Sequence, residues 1–231
     1  MSSTLPELKS FEAKSSLQHV FQELKDAIMM GEFAPGQKFR IDEFAQVFKT
    51  SHMPVREAIN QLTIIGALES HPRRSASIVA FSPQRLDDLM DLRLAVEGRA
   101  IECAVEKVTA EDIATLTAFR AQMDQLLQSE TLNLKAYLRL NQQFHFSIYA
   151  IADNPQLMDV IELAWLRYGP MLNMLNGGSA RDALMSGNDD HMEMIEGLRT
   201  RDAQRAKDAL RSDLLDAAAT ICARNDELEA G

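Results

Sequence analysis

The sequence predicts a mainly α-helical protein with two domains, a small N-terminal domain of short elements and a C-terminal antiparallel bundle of about six helices. Three observations favour this fold class. Gly, Pro and Ser residues interrupt the first 80 of the 231 residues at short intervals, whereas the remainder carries long segments with apolar residues at helical spacing. Apolar residues make up 46% of the chain, which is enough for a packed core.

The N-terminal elements follow one another in an informative order. Gly31 and Gly66 end two amphipathic helices, and Ser51 supplies the N-cap of the second one. A shorter helix lies between them, and two short strands follow around a His-Pro-Arg-Arg tip. The predicted helices are 17–28, 41–48 and 52–65, and the predicted strands are 67–70 and 77–81. Helix, short helix, helix and a two-stranded basic tip is the order of a winged helix-turn-helix.

The C-terminal part contains long amphipathic segments only, which predicts an all-α bundle. Its predicted helices are 84–106, 109–128, 132–152, 155–175, 180–199 and 202–224. We therefore expect a winged helix-turn-helix domain over 1–80, a linker over 81–84 and a helical domain over 85–226.

The sequence also predicts a reduced, cytoplasmic protein that does not enter a membrane. No apolar run reaches the roughly 18 residues of a membrane span. The N-terminus lacks the charged start and apolar segment of a secretory signal. Cys103 and Cys222 lie far apart and form no CxxC motif.

The distribution of charge leaves DNA binding possible despite a net charge of −10. Residues 1–79 carry 9 basic and 9 acidic side chains, whereas residues 80–231 carry 15 basic and 25 acidic ones. All the excess acid therefore lies in the second part, and the first part can present a local basic face to nucleic acid.

The segment 50–62 has the pattern of a recognition helix. Val55, Ile59 and Leu62 form its inward stripe, which leaves the first turn free to meet base edges and phosphates. Arg56 in that turn can reach a phosphate or a guanine edge. Each residue alone is equally compatible with an ordinary helix cap or a surface arginine, so the prediction rests on the combined spacing.

This spacing resembles the N-terminal domain of the GntR family. The matching motifs are Ile28-Met29-Met30-Gly31 with Pro35-Gly36, Ser51-His52-Met53-Pro54-Val55-Arg56-Glu57-Ala58 and Ile65-Gly66-Ala67-Leu68-Glu69. His52 stands where the family usually has Arg, and Ser75 where it has a wing Gly, which changes the base contacts that the resemblance implies. The resemblance implies a homodimer on a palindromic double-stranded DNA operator, contacted through Arg40, Ser51, His52, Met53, Pro54, Arg56, Arg73, Arg74 and Ser75.

Polar residues interrupt the apolar stripes of three predicted C-terminal helices. Asn141 and His145 lie on one stripe, His191 on a second and Asp213 on a third. Burial of such groups is costly unless they satisfy one another or a bound ion. They could bind a divalent metal with open positions for a ligand, or they could form a hydrogen-bonded core cluster without metal.

Residues 84–224 resemble the FCD ligand-binding domain that accompanies GntR-type heads. The matching motifs are Asp91-Leu92-Arg93 with Glu97, Asn141-x-x-Phe144-His145, Asp153-Asn154-Pro155, His191-x-x-x-Ile195 and Arg201-Asp202-Ala203 with Asp213-Leu214. The resemblance implies a divalent metal held by Asn141, His145, His191 and Asp213. Asn141 replaces the usual Asp and Asp213 the usual last His, and such an oxygen-rich set favours Mn²⁺ or Mg²⁺ relative to Zn²⁺.

Arg93 and Glu97 lie four residues apart on the first C-terminal helix. They form either an intrahelical ion pair or part of an effector site. A guanidinium binds a carboxylate in bidentate fashion, and the resemblance implies that Arg93 grips an effector carboxylate beside the metal. Glu97 and Tyr168 are expected in the same effector site.

Together these patterns predict a ligand-responsive transcription regulator rather than an enzyme, a repressor released by a small organic or sugar acid. A regulator with a purely structural C-terminal domain is one alternative. The other is a metal-dependent enzyme fused to a DNA-binding domain. No Ser/His/Asp order, glycine-rich phosphate loop or Cys nucleophile accompanies the polar cluster, which favours sensing over turnover.

Overall fold

The computed structural model describes residues 14–71, 75–175 and 180–230. Their contacts divide them into two units, one with the described residues up to Asp26 and Gln37–Val79, the other with Ala27–Gly36 and the chain from Ala80 onward. The elements in chain order are α1 (Lys14–Met29), β1 (Lys38–Arg40), α2 (Ile41–Val47), α3 (His52–Ile65), β2 (Leu68–His71), β3 (Ser75–Ile78), α4 (Pro83–Lys107), α5 (Ala110–Gln128), α6 (Leu134–Ile151), α7 (Pro155–Leu172), α8 (Ala180–Thr200) and α9 (Ala203–Ala230).

The N-terminal unit has the predicted winged helix-turn-helix architecture. Helix α3 buries Val55, Ala58, Ile59 and Leu62 on one face, the stripe that the apolar spacing indicates. Gly66 ends this helix with a φ of 84°, a left-handed conformation that glycine adopts without steric cost. The first turn of α3 is therefore exposed on a helix whose other face is buried.

The wing differs from the prediction in its strands. A strand that was not predicted, β1, makes the sheet three-stranded in the antiparallel order β1-β3-β2. The two wing strands run over Leu68–His71 and Ser75–Ile78 rather than 67–70 and 77–81. The cause is that β3 is the central strand, and its partners meet it between Ser75 and Ile78. Arg73 and Arg74 lie outside the described residues.

The C-terminal unit contains the six predicted helices, α4 to α9, within the described residues. Polar side chains begin several of them, since Ser82, Thr109, Asn133 and Asn154 each accept a hydrogen bond from a first-turn backbone N–H. Helix α4 begins at Pro83, so the second half of the predicted linker 81–84 is helical. None of the helices in the described residues has the length and apolar character to cross a membrane.

Distant arginines close two helix ends. The guanidinium of Arg201 donates to the carbonyls of Val105 and Glu106 at the end of α4, at 2.7 and 2.8 Å. Arg181 donates to the carbonyls of Leu127 and Ser129 at the end of α5, both at 2.8 Å. These bonds satisfy carbonyl groups that have no partner inside the helix. They connect α8 to the end of α5 and the α8–α9 turn to the end of α4.

Helices α8 and α9 approach closely at Gly197. A β-carbon on Gly197 would lie 2.6 Å from the backbone nitrogen of Ala206, closer than any real side chain allows. The absence of a side chain therefore permits the tight α8–α9 packing. These two helices carry His191 and Asp213, so the close approach helps to set the spacing of the polar cluster.

Candidate functional site

Five of the nine predicted DNA-contacting residues, Ser51, His52, Met53, Pro54 and Arg56, lie at the exposed N-terminal end of α3. Ser51 occupies the N-cap position, although its side chain makes no capping hydrogen bond. Ser51, His52 and Arg56 are exposed, Met53 is 79% exposed, and Pro54 is half-buried. A large apolar side chain with that exposure at the tip of a recognition helix is suited to contact with a thymine methyl group.

An acidic residue at this end was not anticipated from the sequence. Asp42 at the start of α2 lies between two of the predicted DNA-contacting residues, with its Oδ1 3.1 Å from Nε2 of His52 and its Oδ2 3.9 Å from Nη2 of Arg40. Ser75 is half-buried and pairs with Arg40 across β1 and β3, so it lies in the sheet rather than at the wing tip. Asp42 therefore lies close to both side chains at this exposed end of the unit.

In the C-terminal unit, three helices bring His145, His191 and Asp213 together. The Nε2 atom of His145 lies 3.3 Å from Oδ2 of Asp213, and Nε2 of His191 lies 3.7 Å from Oδ1 of the same carboxylate. Each of the three residues offers one ligand atom, and these three atoms all lie within 4.8 Å of one another. Asn141 borders the same cavity one turn before His145. Three of the four predicted ligands, His145, His191 and Asp213, therefore converge from α6, α8 and α9, and Asn141 borders the same cavity as His145 and Asp213.

The donors at this point suit a divalent cation. His191 is fully buried, and its Nε2 has no hydrogen-bond partner within the described part of the chain. Burial lowers the pKa of His191 to about 3, so the imidazole is neutral and carries a lone pair at physiological pH. Burial acts to raise the pKa of Asp213, but His145, His191 and Arg93 outweigh it and hold this pKa below its usual value. A neutral imidazole and an ionised carboxylate are the forms that bind metal.

Arg93 and Glu97 form a buried ion pair within α4, which is one of the two alternatives that the sequence predicts. Arg93 donates to the two carboxylate oxygens of Glu97 at 2.6 and 3.3 Å, and the side chains are 1% and 0% exposed. The guanidinium carbon also lies 4.7 Å from the ring centre of Trp165 and 4.4 Å from that of Tyr168. Nη1 of Arg93 is buried without a hydrogen-bond partner among the described residues. The two N–H donors on Nη1 of Arg93 thus have no partner among the described residues, while Glu97 balances the charge of the guanidinium.

Glu97 has different surroundings from those predicted. Its carboxylate accepts hydrogen bonds from Arg93, from the Tyr149 hydroxyl and from Nε1 of Trp165, the last at 3.1 Å. Arg93 and Tyr168 are among the described residues that border the cavity, whereas Glu97 is not. Glu97 therefore lies behind Arg93 and holds it, while Arg93 and Tyr168 border the cavity.

Sequence reasoning missed Tyr149, Trp165, Asn188 and Gly187. Tyr149 lies four residues after His145 and Asn188 three residues before His191, so helical spacing places each on the same face as the histidine it contacts. Those spacings were the available signal. Gly187 borders the cavity opposite Asp213, and no sequence pattern marks it.

The cavity itself is small. It measures about 40 Å³ and is bordered by the polar groups of Arg93, Asn141, His145 and Asp213 together with the apolar side chains Leu138, Trp165, Leu172, Leu184 and Leu214. One ordered water needs about 10–15 Å³ on this measure, so the space admits about three water-sized groups.

Comparison with known proteins places both units in known families. Residues 17–78 match the family described as bacterial regulatory proteins, gntR family, and residues 88–216 match the FCD domain. The chain is 26% identical to the HTH-type transcriptional regulator McbR of Escherichia coli strain K12 over 191 residues, which cover 83% of this chain and 86% of that one. It is 30% identical to the Nta operon transcriptional regulator of Aminobacter aminovorans over 129 residues, which cover 56% of this chain and 60% of that one.

Solved structures show the same fold. The structure of E. coli McbR/YncC superposes with a TM-score of 0.84 at 24% identity, over 91% of this chain and 99% of that one. A putative GntR transcriptional regulator from Rhodococcus sp. RHA1 gives a TM-score of 0.74 at 17% identity, over 90% of this chain and 98% of that one. These relatives are regulators rather than enzymes. The chain therefore belongs to the GntR family of DNA-binding transcriptional regulators, with an FCD domain as its C-terminal part.

Proposed function

We propose that this regulator is a homodimeric, cytoplasmic repressor that leaves its palindromic operator when a small monocarboxylate binds beside a divalent metal in the FCD domain. The observation that carries the proposal is the cluster of His145, His191 and Asp213, of which His145 and Asp213 border a cavity that Arg93 also borders. A relative described as a probable D-xylose utilization operon transcriptional repressor, from Paenarthrobacter nicotinovorans, is 25% identical over 83% of this chain and supports repression as the mode of action.

The residues have separate parts in this proposal. His145, His191 and Asp213, with Asn141 beside them, would hold the metal, and the metal when bound would supply positive charge for an anionic ligand. Arg93 would donate a hydrogen bond to the carboxylate of the ligand from Nη1, which has no partner among the described residues. Because Glu97 already balances Arg93 and holds it against two aromatic rings, the guanidinium is fixed before the ligand arrives.

Charge and volume indicate the class of ligand. Arg93 and Glu97 cancel, His191 is neutral, and Asp213 contributes one negative charge. A divalent metal on this set leaves about one positive charge, which one carboxylate neutralises and two would exceed. A cavity of about 40 Å³ with mostly apolar walls favours a short monocarboxylate over a sugar acid.

The DNA-binding part of the proposal rests on the exposed first turn of α3. Arg56 and Met53 project from a helix whose opposite face is buried, so they can enter the major groove without disturbing the core. We expect ligand binding to change operator affinity by a coupling free energy of about 1–3 kcal/mol, which corresponds to roughly 5- to 150-fold.

Operator release tests this function. The operator is first obtained by selection of random duplexes on the full chain, and binding is then followed by fluorescence polarisation after chelator treatment. Mn²⁺ or Zn²⁺ is added back together with monocarboxylates of two to four carbons or with dicarboxylates of matched length. We expect at least one monocarboxylate to weaken operator binding fivefold or more, only when metal is present. Operator affinity that is indifferent to every acid would contradict the proposal and favour a purely structural FCD domain.

A further inference from the structure

We propose that Tyr149 and Asn188 are positioning residues that hold the ring proton of His145 and of His191 on Nδ1, so that both Nε2 atoms face Asp213 ready for a metal. The inference rests on the proposed metal site and assigns the residues that prepare it. In metal sites the second ring nitrogen of a ligating histidine usually donates to an acceptor, which fixes the tautomer and the orientation of the ring.

The hydrogen bonds around Tyr149 determine the proton on His145. The Tyr149 hydroxyl donates to Oε2 of Glu97, a carboxylate that also accepts from Arg93 and Trp165 and has only acceptor atoms to offer. The single hydroxyl proton of Tyr149 is therefore used. Its oxygen lies 3.2 Å from Nδ1 of His145 and can only accept there, so Nδ1 carries a proton. Nε2 of His145 is then the ring atom that would bind a metal, and it faces Oδ2 of Asp213 at 3.3 Å.

An independent set of bonds acts on His191. The amide nitrogen of Asn188 donates to Oδ1 of Asp124, which turns the amide oxygen toward Nδ1 of His191 at 3.3 Å. An amide oxygen only accepts, so Nδ1 of His191 carries the proton. The consequence is visible at the other nitrogen, because Nε2 of His191 is fully buried and has no hydrogen-bond partner among the described residues. Arg120 in turn pairs with Asp124 at 3.2 Å and holds the acceptor of the amide in place.

The hydrogen-bond networks of Tyr149 and Asn188 connect the two histidines to different residues. Tyr149 is connected through Glu97 to Arg93, the residue proposed to grip the ligand, whereas Asn188 is connected to Asp124 and Arg120 near the surface. The metal ligand His145 and the ligand-binding Arg93 therefore share one acceptor pair, Glu97 and Tyr149. A change at Tyr149 should weaken the metal site without removing any atom that touches the metal.

The direct test is the protonation of the ring nitrogens. The full chain is labelled with ¹⁵N-histidine, treated with chelator, and studied by long-range ¹H–¹⁵N NMR at neutral pH. We expect protonated Nδ1 in both His145 and His191, and an unprotonated Nε2 in His191. In Tyr149→Phe the Nδ1 proton of His145 loses its acceptor, and the signal is expected to change while that of His191 does not. Asn188→Ala should give the converse result.

Zinc affinity, measured by chelator competition, is the second readout. Tyr149→Phe and Asn188→Ala are each expected to weaken Zn²⁺ binding by about 10- to 100-fold. Tyr137→Phe is the matched control, because Tyr137 is a buried tyrosine on the same cavity whose hydroxyl donates to the backbone carbonyl of Leu184 at 3.0 Å. We expect this control to change zinc affinity less than about threefold.

The outcomes separate this inference from the proposed function. Unprotonated Nδ1 in His145 or His191 of the wild-type protein, or wild-type zinc affinity in both variants, would overturn the assignment of Tyr149 and Asn188. Failure of the wild-type chain to bind Zn²⁺ or Mn²⁺ would contradict the proposed function, while the NMR spectrum would still decide the tautomers. Should Tyr149→Phe fail to fold, Asn188→Ala and the wild-type spectrum carry the test.

Discussion

Gly187 on α8 faces Asp213 on α9 so closely that a side chain on the glycine would collide with the carboxylate. A β-carbon at Gly187 would lie 2.9 Å from Oδ1 of Asp213, and Oδ1 is the oxygen nearest to His191. The absence of a side chain at Gly187 therefore leaves room for the carboxylate of Asp213 beside His145 and His191. This relationship gives a way to move one metal ligand without changing any ligand.

Substitution of Gly187 by alanine should displace Asp213 and weaken Zn²⁺ binding at least about 10-fold in a chelator competition. Alanine is a better helix former than glycine by about 1 kcal/mol, so helix α8 should not lose stability from the change itself. Gly98→Ala on α4 is the matched control, because the nearest atom to its β-carbon would be Cε of Lys207 at an ordinary 3.8 Å. Equal zinc affinity of the two variants would show that Asp213 does not take part in zinc binding.

The buried neutral His191 should make the metal-free protein sensitive to acid. Its pKa is about 3 in the folded state, against about 6.5 when exposed. Between these values the unfolded chain binds a proton that the folded chain does not, so stability falls as the pH decreases from about 6.5 toward 3. The slope for one proton approaches about 1.4 kcal/mol per pH unit.

Urea unfolding followed by the fluorescence of Trp165, the one tryptophan of the chain, measures this slope. His191→Gln removes the titrating group and should flatten the pH dependence by about one proton, and His19→Gln, at an exposed histidine, is the control substitution. A wild-type slope that survives in His191→Gln would mean that the acid sensitivity has another origin.

Removal of one member of the buried Arg93–Glu97 ion pair should destabilise the folded protein more than removal of both members. Arg93→Met leaves the fully buried carboxylate of Glu97 without its cation, which is expected to cost about 3–5 kcal/mol. The double variant Arg93→Met with Glu97→Leu removes both charges and should be more stable than the single variant. Trp165 fluorescence during urea unfolding again reports the difference. A double variant that is less stable than Arg93→Met would show that the hydrogen bonds from Tyr149 and Trp165 to Glu97 outweigh the unpaired charge.

Operator binding should depend on Arg56. This residue is exposed in the first turns of α3, where a contact with a guanine edge contributes about 1–3 kcal/mol and a phosphate contact lowers the salt slope by about one. Arg56→Ala is therefore expected to weaken binding to the selected operator at least 10-fold, with an unchanged circular dichroism spectrum. Arg211→Ala, at an exposed arginine on α9, controls for the loss of one positive charge. Equal operator affinity of the two variants would show that α3 does not contact the DNA.

The long periodic elements could be predicted from the sequence, because each has a local cause. The helix His52–Ile65 follows from its apolar spacing and Gly66, and α4 to α9 follow from breaks at polar, Pro and Gly residues. Strand β1 could not be predicted, since three residues, Lys38 to Arg40, carry too short a pattern. Its existence and the limits of β3 depend on pairing across the sheet, which is a tertiary effect.

The candidate site could be predicted in part for the same reason. His145, His191 and Asp213 interrupt apolar stripes, so their burial and convergence are readable from helical spacing. The surroundings of Glu97 could not be predicted, because its hydrogen-bond donors come from three different helices, α4, α6 and α7. The clash that keeps residue 187 a glycine likewise depends on the distance between two helices rather than on any local pattern.

The most direct test of the central claim is the thermal unfolding midpoint of the full chain after chelator treatment, measured with added Mn²⁺ or Zn²⁺ and then with short monocarboxylates. A ligand at 100 times its dissociation constant stabilises the folded state by about 2.7 kcal/mol, so each binding step should raise the midpoint. We expect metal to raise the midpoint of the wild-type protein, an acid to raise it further only in the presence of metal, and neither to act on His145→Ala with His191→Ala. A wild-type midpoint that responds to neither metal nor acid would contradict the account and identify the polar cluster as structural.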